Sequence, residues 1–153
     1  MEKTITIKIE DARRWYLSGN DDLKRIALSA FCADELVVAG LPTSVEEFTQ
    51  KYGEIKVDME ILNPLEREEY KAHIMLRKLR DLYRGCDEFH YRHELRGRYQ
   101  YCIVKMYCGR EAYYTISHYS DTYNEFLSFT EEEVAKKFLA CFEKLIEKAG
   151  NLI

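Results

Sequence analysis

Two prolines, one tryptophan and no apolar run of membrane-spanning length are the first shortages in this chain. With so little proline and 46% hydrophobic against 33% charged residues, the composition excludes a proline-rich linker or a disordered tail and fits a folded protein. No window approaches the roughly 18 apolar residues of a transmembrane helix. The opening MEKTITIKIE has no apolar core of signal-peptide length, so a cytoplasmic location is expected. Five cysteines, Cys32, Cys86, Cys102, Cys108 and Cys141, contain no CxxC pair, and their odd number argues for free thiols in a reducing compartment. Also missing are a glycine-rich phosphate loop, GxSxG and HExxH, which leaves an enzyme reading little to hold on to, and no cofactor is expected.

Tyrosine is what the chain has in excess, twelve residues in 153. An apolar ring with a hydroxyl suits half-exposed sheets and contact surfaces, so this excess favours binding to something. The length is that of one domain, 1–153. The net charge of −4 offers no global attraction to nucleic acid or an anionic membrane. It is unevenly spread: residues 71–98 hold eight basic and four acidic side chains, a local +4.

The alternating TITIKI, residues 4–9, predicts a half-buried strand. A short helix follows from near Asp11 to Gly19, and DDLKRIALSAF predicts a second, with Leu23, Ile26, Ala27, Ala30 and Phe31 as its core stripe. ADELVVAGLP reads as a connection with a candidate short strand. Ser44 and Glu47 form a capping-box pattern before a helix ending at Gly53. Asn63, Pro64 and Glu66 begin the strongest helical pattern, which runs through Ala72, Met75, Leu76, Leu79, Leu82 and Tyr83 to Gly85.

RYQYCIVKMY and AYYTISHY, separated by CGRE, predict a tyrosine-rich β-hairpin turning at Gly109, with NEFLSF as a candidate third strand. Thr130 and Glu133 are expected to cap a long C-terminal helix whose face is Val134, Ala135, Phe138, Leu139, Phe142, Leu145 and Ile146. The class expected is therefore α+β: a small antiparallel sheet packed against several helices.

The stretches KIEDARRWYLSGNDDLKRIALSAF, SVEEF, IMLRKLRDLYRG and FLSFTEEEVAKKFLACFEKLI resemble a loosely related group of small uncharacterised α+β proteins. These are encoded by gut Bacteroidetes, their tailed phages and mobile elements. Trp15 and Tyr16, then Phe129, Ala135 and Phe142, match the group's pattern. FHYRH stands where the relatives often carry a tryptophan-rich stretch. The resemblance implies the fold and a phage or mobile-element setting; the group has no established activity to carry over.

Three sites can be read from the residues. Cys86, Glu88, His90 and His93 offer soft and borderline ligands, but no second close pair completes a zinc site, so a polar loop is the expectation and no metal is assigned. Trp15 is expected to pack its helix against the sheet. The third is a contact surface: Arg77, Arg80, Arg84, Arg92, Arg96 and Arg98 near Tyr99, Tyr101 and Tyr113. The expected function is non-catalytic, a binding or accessory protein whose tyrosine-rich hairpin meets a protein partner or a second copy of itself. The alternative is a nucleic-acid-binding module, in which the arginines of 77–98 neutralise phosphates and the tyrosines stack on bases.

Overall fold

The local signals at Asn63 are met in full. In a computed structural model, which describes residues 5–57, 63–85, 100–119 and 126–150, the Asn63 side chain accepts from the Glu66 amide at 2.9 Å. The Glu66 carboxylate accepts from the Asn63 amide at 3.0 Å. Pro64 then starts α5 (Pro64–Arg84), and Gly85, at φ +72, ends it in the left-handed conformation that glycine adopts without a Cβ clash.

Before α5 come α1 (Ile9–Tyr16), α2 (Asp21–Ala30), α3 (Ala33–Val38) and α4 (Val45–Tyr52). After it come β1 (Tyr101–Cys108), β2 (Glu111–His118), β3 (Ser128–Phe129) and α6 (Glu132–Ala149). The described strands form one antiparallel sheet in the order β2-β1-β3, and the α+β class is thereby observed. The hairpin closes through two residues, Gly109 and Arg110, since Cys108 is directly opposite Glu111. Gly109 sits at φ +64, as so tight a turn demands.

α6 is the central helix, touching α3, α5 and all three strands. Lys148 near its end donates to Glu68 near the start of α5 at 2.9 Å. Tyr83 at the end of α5 meets the ring of Phe138 edge-on at 5.2 Å, so the two long helices run antiparallel. Leu76, Leu79 and Tyr83 from α5 and Val134, Phe138, Phe142 and Ile146 from α6 are buried in one cluster. That cluster also takes Ala12 and Tyr16, Leu36, Phe48, Ile103 and Phe129.

Four expectations are corrected. Of the expected strand 4–9, the described residues 5–8 belong to none: they lean Ile7 on the core and lead into α1 at Ile9, with no described strand beside them. The apolar run ELVV is helical, because Leu36 and Val37 are both buried, a pair of neighbours that a half-buried strand would point to opposite faces. In α2 only Ala27 of the five stripe residues is fully buried, and Ile26 and Ala30 face solvent. Thr130 does not cap α6. The helix begins one residue later, after Glu131, whose carboxylate takes Lys24 Nζ at 2.7 Å, while Glu133 pairs with Lys136 at 3.1 Å.

Elsewhere the differences are small. Ser44 accepts from the Glu47 amide as expected, but the Glu47 carboxylate reaches past it to the Thr43 amide at 2.7 Å. The third strand is only Ser128–Phe129, against Tyr101 and Cys102. Trp15 is half-buried against the core cluster.

Candidate interaction surface

The arginines expected to form a surface on α5 divide according to which flank of the helix they occupy. Arg84 Nε donates to the Ser128 carbonyl at 2.8 Å and its Nη2 to Ser128 Oγ at 2.7 Å. Arg80 Nη1 donates to the Phe126 carbonyl at 3.1 Å, its other nitrogens hold Asp81 Oδ1 at 2.7 and 2.8 Å, and its guanidinium lies 5.1 Å from the centre of the Phe126 ring. These two residues fasten the 126–128 segment to α5 and thereby hold β3 on the sheet. Arg77 points outward with Lys78 and is exposed. Arg92, Arg96, Arg98 and Tyr99, and the Cys86, Glu88, His90 and His93 group, lie outside the described residues.

A fourth arginine, Arg13, has a structural place that composition does not signal. It is buried on α1, and its Nη2 donates to the carbonyls of Leu82 and Tyr83 at 3.2 and 3.0 Å. A cation there adds a donor to the Leu82 carbonyl, which also accepts the Gly85 amide, and to the Tyr83 carbonyl, and it meets the negative end of the α5 dipole.

The tyrosines divide by register. Tyr101 pairs with His118 and Met106 with Tyr113, so Tyr101, Ile103, Lys105, Tyr107, Tyr114 and Ile116 share one face, and Cys102, Met106 and Tyr113 the other. The first face lies on the core: Ile103 is buried, and Tyr101, Tyr114 and Ile116 pack against the cluster. Tyr101 is therefore half-buried, its ring 4.9 Å from that of His118. Tyr101 and Tyr113, grouped by sequence, point to opposite sides.

Beyond Val104 and Tyr114 the hairpin leaves the body. Every residue from Lys105 to Tyr113 is exposed. Tyr107 is 68% exposed, Tyr113 48% and Met106 45%. Met106 and Tyr113 are directly opposite one another, so the tip carries an apolar pair on one face and Tyr107 on the other, with Lys105 Nζ 5.8 Å over the Tyr107 ring. Large side chains at the end of a projecting ribbon are costly to leave in water and well placed to enter a partner. Met106 and Tyr107 were the signal available in sequence: apolar residues near a turn, where the strand has outrun the helix that covers it.

No helix among the described residues is long and apolar enough to cross a membrane, and among them no cluster of histidine, cysteine and carboxylate side chains could hold a metal ion. Set against protein-family models, curated proteins and solved structures, the chain matches none of them.

Proposed function

We propose that this is a non-catalytic, cytoplasmic binding or accessory protein that meets a protein partner through its projecting hairpin. The accessory role in a phage or mobile-element setting rests on the sequence resemblance alone. The observation that carries the interface is the exposed tip, where Met106, Tyr107 and Tyr113 stand together on the projecting hairpin, while the other exposed rings among the described residues, Tyr52, Tyr70 and Tyr119, lie elsewhere in the chain. Aromatic and methionine side chains are enriched in the buried centres of protein interfaces. The competing module, nucleic acid held by basic residues 77–98, has two of its helix arginines, Arg80 and Arg84, engaged with the protein's own backbone.

A photo-reactive phenylalanine analogue placed at Tyr107 or Tyr113, and at exposed Lys137 on α6 as control, tests the reading in cells. The same discrete protein adduct from both hairpin positions, lost when unlabelled protein is overproduced and absent from the Lys137 position, is expected. Adducts removed by nuclease instead of protease would replace the protein interface with a nucleic-acid one. Equal adducts from all three positions would remove the hairpin as the contact.

A further inference from the structure

The hairpin has one edge that nothing described in the molecule covers. Tyr119 N donates to the Gln100 carbonyl at 2.9 Å, and Ile103 N turns the other way, to the Leu127 carbonyl at 2.8 Å. This fixes the phase of the antiparallel ladder: the amides and carbonyls of residues 111, 113, 115 and 117 face β1, and those of Ala112, Tyr114, Ile116 and His118 face outward. With the order β2-β1-β3, no described strand or turn pairs with these outward groups.

Exposed edges are usually blunted by proline, by an inward lysine, by a bulge or by shortness. β2 has none of these: it is eight residues long, its register with β1 is unbroken, and 112–117, AYYTIS, contains no charge and no proline. The opposite edge of β1 is already taken at its start by β3.

The charge beside this edge selects the occupant. α6 packs on the face that carries Tyr114 and Ile116. Its flank toward α5 is marked by Lys148, bound to Glu68, with Lys144 one turn before it. Glu143 and Glu147, also one turn apart, are exposed on the flank toward the hairpin, and among the described residues neither forms an ion pair. Their charge reaches Tyr114, whose hydroxyl is held above its ordinary pKa first by burial and then, against the nearby Lys105, by Glu147 and Glu143. Lys105 itself is on the inner strand, opposite Tyr114, with its ammonium over the Tyr107 ring.

A second copy paired antiparallel, β2 to β2, about a twofold axis normal to the sheet would keep both α6 helices on one side of the joined sheet. It would bring two Glu143 and Glu147 pairs toward a shared edge, and like charges there oppose the pairing. A strand with cations on the side facing α6 meets the opposite field.

We infer that the open edge of β2 accepts an added strand from an extended segment of a partner protein, with lysine or arginine at alternate positions facing Glu143 and Glu147. Backbone hydrogen bonds to Ala112, Tyr114 and Ile116 supply the affinity and the carboxylates the selection, the usual division of labour in strand addition. This deepens the reading of the hairpin as a protein interface and rests on it.

The test uses isotope-labelled full-length protein and a synthetic pool of octapeptides with lysine at every second position and valine, isoleucine, threonine or tyrosine between. Saturable amide shifts confined to β2, larger for Ala112, Tyr114 and Ile116 than for their inward neighbours, are expected. The matching pool with glutamate for lysine should bind at least about tenfold more weakly. The double variant Glu143→Lys with Glu147→Lys should reverse that order, and Ala112→Pro, which removes only an outward amide of an exposed residue, should weaken both pools. Equal binding of the two pools, or shifts scattered away from β2, overturns the inference. So does a concentration-dependent dimer abolished by Ala112→Pro. If crosslinks from Tyr107 and Tyr113 persist while the basic pool fails, the edge assignment falls and the hairpin interface stands; if the crosslinks fail as well, both fall.

Discussion

At the scale of single residues, side chains of one type do different work according to what lies within reach. Arg77 is a solvated cation, whereas Arg80 and Arg84, three and seven positions on, are hydrogen-bonded to the 126–128 backbone. Tyr113 is exposed, and Tyr83 is buried with its hydroxyl donating to the Pro42 carbonyl at 3.0 Å. Tyr16 is buried beside acids, and its pKa is pushed up to about 12 by burial first and then by Glu131, Glu133 and Asp34. The unfolded chain ionises this phenol from about pH 10, before the folded protein does. Its contribution is therefore complete below pH 10 and is lost as the pH rises from there through about 12. Tyr83, also pushed up by burial, acts in the same direction. Urea midpoints should be level from pH 8 to 10 and fall above it, and Tyr16→Phe should flatten that fall; an unchanged slope in the variant would contradict the assignment.

At the scale of elements, the helix ends that carry their own caps were legible because they depend on atoms within four residues. Ser44 and Asn63 each accept an amide of the first turn, and Gly85 closes α5, whereas α1, expected from near Asp11 to Gly19, runs Ile9–Tyr16. What joins one element to another was not legible. Arg13 ties α1 to the end of α5, and a β-carbon on Gly85 would come 3.2 Å from Leu17 Cδ1 and 3.5 Å from Arg13 Nη1, so the two elements meet closely here. Replacing Arg13 with methionine keeps an apolar stem but leaves two carbonyls without this donor. We expect a loss of about 2–3 kcal/mol in urea unfolding, against less than about 0.5 kcal/mol for Arg14→Met on the exposed side of the same helix. Equal losses would show that Arg13 contributes only its hydrocarbon.

At the scale of the whole molecule, all six described helices and the sheet contribute to one buried cluster, α2 through Ala27 alone among its fully buried residues. A shared core of this kind unfolds as a unit, so a single transition should be seen alike by far-ultraviolet circular dichroism and by the fluorescence of Trp15. Two separated transitions would divide the chain that its length suggests is one domain. The hairpin tip is outside this core, so substitutions of its exposed residues should cost the fold little.

The sequence by itself determined the helices with their own caps, the hairpin turning at Gly109, and the α+β class, since periodicity and turn chemistry act locally. Only the tertiary structure decided that residues 5–8 make no strand, because an alternating pattern needs a neighbour with open hydrogen bonds and no described strand is beside it. Among the described residues it likewise decided which arginines are occupied, which face of the hairpin each tyrosine takes, and that Glu143 and Glu147 stand on the flank of α6 toward β2. Those outcomes depend on pairs of residues far apart in the chain, and a spacing rule cannot report whether distant groups come within hydrogen-bonding reach.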